Sequence, residues 1–254
     1  MKSDQPGRLI FLSGPSCMGK GSLIKALKKF YPKQWRNLRR VVIYNSRPPR
    51  PGETDGVEFR FRPRPYIEEL IARKDLVALE SRGDLHAVNM KQVRKIITKI
   101  KKDALLIDSP AMIAAMRGHP QMPQATTITV LMSPLSKAEI EFYKTQCRGS
   151  FSLEEFVTDL MRRKLLRRTS RQKSFLSLKD LEEVEVRARG AYGELKQGHL
   201  FDYVLVNHVG GDSEFWNNFY YPVGDPLRVL HAFVALLEGR VTAEAEQWSE
   251  DLVP

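Results

Sequence analysis

The run Gly14-Pro-Ser-Cys-Met-Gly19-Lys20 has the spacing G-x-x-x-x-G-K. In this pattern glycines let successive backbone N–H groups turn inward around an anion, and the lysine adds a point charge at the far end. Gly14, Pro15, Ser16, Cys17, Met18, Gly19, Lys20, Gly21 and Ser22 are therefore the candidate phosphate cradle. Gly21 stands where Ser or Thr is usual, so the hydroxyl available to a Mg2+ shell moves one residue on, to Ser22. Cys17 reads as a small loop filler rather than a nucleophile, because no His or second Cys lies near it in the sequence to activate it. A second constellation is Arg47-Pro-Pro-Arg50, whose prolines would hold two guanidinium groups at a fixed separation suited to bidentate capture of one monophosphate. The same composition equally suits a proline-rich linker or peptide ligand. A third is the basic stretch from Arg162 to Lys173, which is either a solvated helix face or a cluster that meets an anion.

Chemistry at these residues needs elements to position them. Leu9 to Ser13 reads as a short buried strand that feeds the glycine turn, and a helix follows with Leu23, Ile24, Leu27 and Phe30 on one face. Further apolar runs at Val41–Tyr44, Ala104–Ile107, Thr127–Met132 and Tyr203–Val206 are separated by helical patterns, which favours a mostly parallel sheet covered on both faces. Between Ser46 and Asn89 the prolines Pro48, Pro49 and Pro51 with Gly52 break regular structure, and Val57–Phe61 then alternates like an exposed strand. Ser136 to Arg189 is highly charged and reads as helical. Asp225-Pro226 starts a helix carrying Leu227, Leu230, Val234 and Leu237, and Gly239 stops it. The acidic tail after Arg240 is expected to fray.

The 254 residues are 42% hydrophobic with a formal net charge of +11, enough for one substantial core and suggestive of an anionic partner. No stretch approaches the roughly 18 apolar residues that span a bilayer, and the polar start has no signal-peptide core, so no membrane partner and a cytoplasmic location are the default expectations. Cys17 and Cys147 sit in no metal-ligand spacing. No aromatic residue interleaves in the basic stretch, which leaves nucleic-acid stacking without support.

Gly14-Pro-Ser-Cys-Met-Gly-Lys-Gly-Ser22, followed by Ser46-Arg-Pro-Pro-Arg-Pro-Gly-Glu53-Thr-Asp-Gly56, resembles the two signature segments of guanylate kinases. Looser matches extend the resemblance from about residue 8 to 207. Ala78-Leu-Glu80 is similar to the segment whose acidic residue reads guanine, which suits an ionised Glu because guanine offers two adjacent donors; an exposed strand charge is the alternative. Leu105-Leu-Ile-Asp108 is similar to a strand ending in an acidic residue near nucleotide and metal, though Asp108 could equally cap the helix after Pro110. Leu160-Met-Arg-Arg163-Lys-Leu-Leu-Arg167 is similar to the helix entering the family's lid, Arg187 falls at the lid's returning arginine, and Phe201-Asp-Tyr-Val-Leu-Val-Asn207 closes the match.

The resemblance implies an α/β fold with a three-layer parallel-sheet core built from residues 1–45 and 90–240, a helical lid at about 149–189, an acceptor-binding lobe at 46–89 and an acidic tail at 241–254. It implies ATP and Mg2+ as cofactors and a nucleoside monophosphate, GMP, as acceptor. Lys20, Arg163, Arg167 and Arg187 would serve catalysis; Arg47, Arg50, Phe59, Glu80, His86 and Asp108 would hold the acceptor; Ser22 and Asp108 would face the metal. Four positions depart from the family, with Ile43 for serine, Phe59 for tyrosine, His86 for tyrosine and Val88 for serine. Each lost hydroxyl removes roughly 0.5–1.5 kcal/mol of hydrogen bonding, enough in sum to change the acceptor. A kinase for another phosphorylated acceptor, such as ribose 1,5-bisphosphate, is one alternative. A catalytically silent module like the guanylate-kinase domains of membrane-associated scaffolds is another, although those have damaged phosphate loops and this loop is intact. The insertion near 137–158 and the aromatic segment Phe215-Trp216 to Phe219-Tyr220-Tyr221 have no family counterpart, and the aromatics are candidates for a core edge or a homodimer contact.

Overall fold

The computed structural model describes residues 6–49, 52–73, 76–81, 83–146 and 152–254, so Arg50 and Cys147 lie outside the described residues. The first strand, β1 (Leu9–Ser13), is wholly buried. Helix α1 (Lys20–Phe30) buries Leu23, Ile24 and Leu27 of the expected face together with Ala26, while Phe30 is only half-buried. After α2 (Pro32–Asn37) the chain forms β2 (Leu38–Arg40), β3 (Tyr44–Asn45), β4 (Arg60–Phe61), α3 (Arg64–Ala72), β5 (Leu76–Ser81) and β6 (Asp84–Asn89). Then come α4 (Met90–Arg94), β7 (Asp103–Ile107), α5 (Pro110–Arg117) and β8 (Thr127–Ser133). The second half is mostly helical, with α6 (Lys137–Gln146), α7 (Leu153–Gln172) and α8 (Leu178–Lys196), then β9 (Tyr203–Val206), α9 (Asp225–Leu237) and β10 (Ala245–Glu246).

The larger sheet has the order β10-β9-β8-β1-β7-β2, with β8 and β9 parallel, β2 and β7 parallel, and β10 antiparallel to β9. A smaller sheet has the order β4-β3-β6-β5. Contacts divide the chain into two units, Met1–Phe11 with Arg36–Ile128, and Leu12–Trp35 with Thr129–Pro254.

In the first unit the smaller sheet packs its apolar face on α3. Ile67, Leu76, Leu85 and Ala87 form that core, with Tyr44, Leu70, Ile71 and Ala78 against it. The apolar run at 41–44 is not one strand, because the chain leaves the larger sheet at Arg40 and enters the smaller at Tyr44. Val41 and Ile43 between them are buried all the same, which is why the run reads as apolar throughout. The strand expected at 57–61 shrinks to Arg60–Phe61, since the N–H groups of Val57 and Glu58 both turn back to the Thr54 carbonyl.

In the second unit α7 and α8 are opened by capping boxes, Ser152 with Glu155 and Ser177 with Asp180, each pair satisfying N–H groups that the first helical turn leaves free. These caps let two highly charged sequences start at defined residues, and α7 carries the basic stretch from Arg162 as far as Arg171, with Lys173 as its C-cap. Helix α9 begins at Asp225-Pro226 as expected. The tail after Arg240 does not fray. It adds β10 to the sheet edge and buries Trp248, Leu252 and Val253, and Lys144 Nζ holds the carbonyls of Asp251 and Leu252 at 2.7 and 3.1 Å. Acidic composition hid these three apolar residues.

Candidate active site

The phosphate loop runs from β1 to α1 in the second unit. Gly14, Cys17 and Gly19 take φ values of 127, 71 and 95°, and Gly19 is the N-cap of α1 without a side-chain cap. A left-handed conformation at Cys17, which is not glycine, costs about 1–2 kcal/mol and persists only where neighbours impose it. Lys20 Nζ donates to the carbonyls of Gly14 and Pro15, the latter at 3.0 Å, so the ammonium is drawn back over the loop it follows. Burial pushes the Cys17 thiol above its ordinary value, with Arg168 the charge that most opposes the rise; a protonated buried thiol is a poor nucleophile, in line with a filling role.

Residues after β9 wrap the outside of this loop. Asn207 Nδ2 donates to the Met18 carbonyl at 2.8 Å, the Gly211 N–H to the Cys17 carbonyl at 2.7 Å, and Ser22 Oγ to the Gly211 carbonyl at 2.6 Å. Asp212 receives Arg167 Nε at 3.1 Å and Arg171 Nη1 at 3.2 Å. Lys164, buried in α7, donates to the His208 carbonyl, and desolvation pulls its pKa down to about 8. Its own carbonyl lies 3.6 Å from the Cys17 thiol. A cavity of about 300 Å3 beside α1 is lined by Ser22, Lys25, Lys29, Phe30, Asp212 and Trp216.

The arginines expected to act in catalysis each meet a carboxylate. Arg163 pairs with Asp159 at 2.7 Å while 78% of its side chain stays exposed. Arg167 pairs with Asp212, and Arg187, which is buried, pairs with Glu183 at 2.5 Å. Arg168 differs: its Nε is buried with no hydrogen-bond partner among the described residues. Arg168, Asp212, Asn207 and Trp216 were not singled out as site residues by the sequence. The adjacent glycines Gly210 and Gly211, next to a strand end, were the available signal for a close backbone approach.

The acceptor candidates lie in the first unit. Arg47 is clasped bidentately by Glu53 at 2.6 and 2.8 Å and lies over the rings of Phe59 and Phe61 at 5.2 and 5.3 Å. Its backbone N–H donates to Asn45 Oδ1 at 3.0 Å, which fixes the Asn45 amide so that Nδ2 faces His86 Nε2 at 2.9 Å. An amide nitrogen only donates, so Nε2 accepts, the His86 proton sits on Nδ1, and that proton goes to the Asp108 carboxylate at 3.0 Å. Asp108 also accepts the Ser109 N–H at 2.6 Å, at the start of α5. Glu80 is 65% exposed on β5 and pairs with Arg64 at 2.6 Å.

For Mg2+, Ser22 and Asp108 are placed in different units, and among the described residues no group of three or more His, Cys, Asp or Glu side chains could cage an ion. Ser22 nevertheless fits the role of a single ligand. Its only hydroxyl proton goes to the Gly211 carbonyl, leaving oxygen lone pairs free, and Mg2+ ordinarily takes few protein ligands and completes its shell with phosphates and water.

A strand, a glycine loop and a helix embedded in this sheet define an α/β protein of the phosphate-loop class. A model of the guanylate kinase family matches residues 6–144, more than half of the chain. The chain belongs to the guanylate kinase family, whose members are nucleoside-monophosphate kinases, a group of phosphotransferases. A guanylate kinase of Thermobifida fusca is 34% identical over 139 residues, 54% of this chain and 66% of that relative. One from Nostoc sp. is 31% identical over 159 residues, 62% of this chain and 75% of the relative. One from Thermus thermophilus is 28% identical over 206 residues, covering 80% and 75%. The crystal structure of guanylate kinase from Anaplasma phagocytophilum shares the fold, with a TM-score of 0.53 at 17% identity over 95% of this chain and 90% of that one.

Proposed function

We propose that the chain transfers the γ-phosphoryl group of ATP to a nucleoside monophosphate, with GMP the acceptor favoured by the resemblance and by the names of its relatives. The observation that carries this reading is the intact loop from Gly14 to Ser22, with Lys20 at the mouth of its own backbone cradle. An oxygen of the acceptor phosphate would attack the γ-phosphorus in line while the bond from that phosphorus to the β-bridging oxygen breaks, so that ADP leaves and no covalent bond to the protein forms. Catalysis of this kind is positioning plus charge neutralisation. Mg2+, held on the protein side by Ser22, would supply part of that neutralisation. Lys20 would hold the β- and γ-phosphate oxygens, Arg47 would grip the acceptor phosphate in place of Glu53, and Arg167 and Arg187 would exchange their carboxylates for the transferring group.

The test is ADP formation by the purified protein with ATP and Mg2+ against GMP, AMP, CMP, UMP and ribose 1,5-bisphosphate. Turnover with GMP above the other nucleotides is expected. ATP binding without turnover on any acceptor would favour a silent module instead. One observation favours a second acceptor class: the ring of His86, standing where the family has a tyrosine, is committed on both nitrogens to Asn45 and Asp108. Turnover with the sugar bisphosphate and none with GMP would establish that reading.

A further inference from the structure

Peptide units of a phosphate loop cradle an anion only when their carbonyls point away from it, and a glycine-rich turn by itself has little preference for that side. Here the choice is imposed from outside, by the segment that follows β9. Two consecutive carbonyls, of Cys17 and Met18, are held outward by the Gly211 N–H and the Asn207 amide. The contact is backbone on backbone: a Cβ on Gly211 would stand 2.9 Å from the Gly19 Cα, and a Cβ on Gly19 would stand 2.9 Å from the Trp216 ring. Trp216 is buried, and its Nε1 donates to the Gly210 carbonyl at 3.0 Å, which locks the ring onto the segment that touches the loop. The segment is itself anchored on α7 through Arg171, which donates to the Asp212 carbonyl at 2.9 Å and its carboxylate at 3.2 Å; Arg167 adds bonds to Val209 and Asp212 that the proposed mechanism would release. His208 adds ties to Glu139 of α6 at 2.9 Å and Asp225 of α9 at 2.6 Å. Every one of these contacts lies within the second unit.

We infer that residues 210–216 are a brace that sets the affinity of the phosphate loop for its donor, with Trp216 as the positioning residue; this rests on the reading of that loop as the ATP site. The brace gives the aromatic insertion a role in the donor site rather than at an oligomer contact. It acts on one substrate only, because it touches the donor loop and no part of the acceptor lobe is needed for its contacts.

The experiment measures ATP affinity by calorimetry, KM for each substrate and thermal stability for Trp216→Ala, Trp216→Phe and wild type. Shifts of order an ångström in a positioning element can cost up to about two orders of magnitude, so Trp216→Ala should raise Kd and KM for ATP about tenfold and leave KM for the nucleoside monophosphate within about twofold. Trp216→Phe removes the Nε1 donor and the ring edge that faces Gly19 but keeps an apolar ring in the segment, so it should fall between wild type and Trp216→Ala. A folded Trp216→Ala protein with wild-type ATP affinity, or with both KM values raised together, overturns the inference. If Trp216→Ala does not fold, Gly211→Ala carries the test, since its methyl group pushes the same segment off Gly19; the same split is expected and the same outcomes decide. Wild-type protein that binds no ATP overturns the reading of the loop itself, a result separable from failure of the brace.

Discussion

Removal of Arg168 should cost more turnover than removal of any arginine on the solvent side of α7. Arg168 lies on α7 one helical turn beyond the buried Lys164, and its charge acts on the Cys17 thiol, which places the guanidinium near the phosphate loop. Its Nε is buried without a hydrogen-bond partner among the described residues. A buried donor left in that condition costs about 1–3 kcal/mol, which an anion in the loop would recover. Arg163, by contrast, holds Asp159 four residues back on an exposed helix face. Deleting a preorganised donor aimed at developing charge lowers kcat by about 10²–10³, or about 2.7–4 kcal/mol. Deleting one arm of an exposed helical pair removes about 0.3–0.5 kcal/mol, less than about threefold in any rate it touches. A coupled ADP assay at saturating ATP and acceptor should therefore separate Arg168→Ala from Arg163→Ala by at least an order of magnitude, with Arg168→Lys between them. A folded Arg168→Ala enzyme within threefold of wild type, or an Arg163→Ala enzyme that loses as much, would refute the assignment of the phosphate-facing cation.

Lys20→Ala should lower kcat by on the order of 10²-fold or more while shifting stability by about 1 kcal/mol at most, checked by the same assay and by thermal melting; retained turnover would remove the loop from the mechanism. His208 should make stability depend on pH. Burial by itself would push its pKa down, but the hydrogen bonds its ring donates to Glu139 and Asp225 outweigh burial and raise it. A raised pKa stabilises fully below the unfolded value of about 6.5, and that stability is lost as pH rises through the folded value, so His208→Gln should flatten the melting temperature across that interval. Trp248→Ala should destabilise by about 3–5 kcal/mol, measured by denaturant unfolding, because the ring is buried; a loss below about 1 kcal/mol would mean the tail does not hold the sheet edge.

The elements that the sequence made legible are those whose signal is local. β1 and the loop after it combine an unbroken apolar run with a fixed glycine spacing, and α9 has a proline start and a glycine stop; all three form where the residues indicate. The misread elements depend on partners far along the chain. Val41 and Ile43 are apolar because they are buried during a change of sheet, and period alone does not distinguish that from a strand. Trp248, Leu252 and Val253 sit among acidic residues, so average composition concealed three core residues. The brace was legible only in part: Gly210-Gly211 signal a close backbone approach, but nothing local to them announces that the Cys17 carbonyl, far away in sequence, is the partner.

In the lobe proposed to hold the acceptor, residues 59 and 86 change which polar groups are on offer. A tyrosine at position 86 or 59 would offer a hydroxyl that can both give and take a proton. His86 instead spends one nitrogen on Asn45 and the other on Asp108, and Phe59 offers only the face of a ring, over which Arg47 lies. Asn45 in turn orients His86 only because its own oxygen is fixed by the Arg47 N–H. Arg47, Asn45, His86 and Asp108 are thus tied into a chain that begins at the Arg47 backbone and ends at the Asp108 carboxylate, and none of its links is a hydroxyl. Recognition of an acceptor phosphate then falls on guanidinium charge more than on hydroxyl geometry. Charge grips any dianionic phosphate and is weakened by salt, whereas hydroxyls read the shape of one, so under the proposed function acceptor affinity at Arg47 should fall with added salt, checked as KM for the acceptor across a salt series.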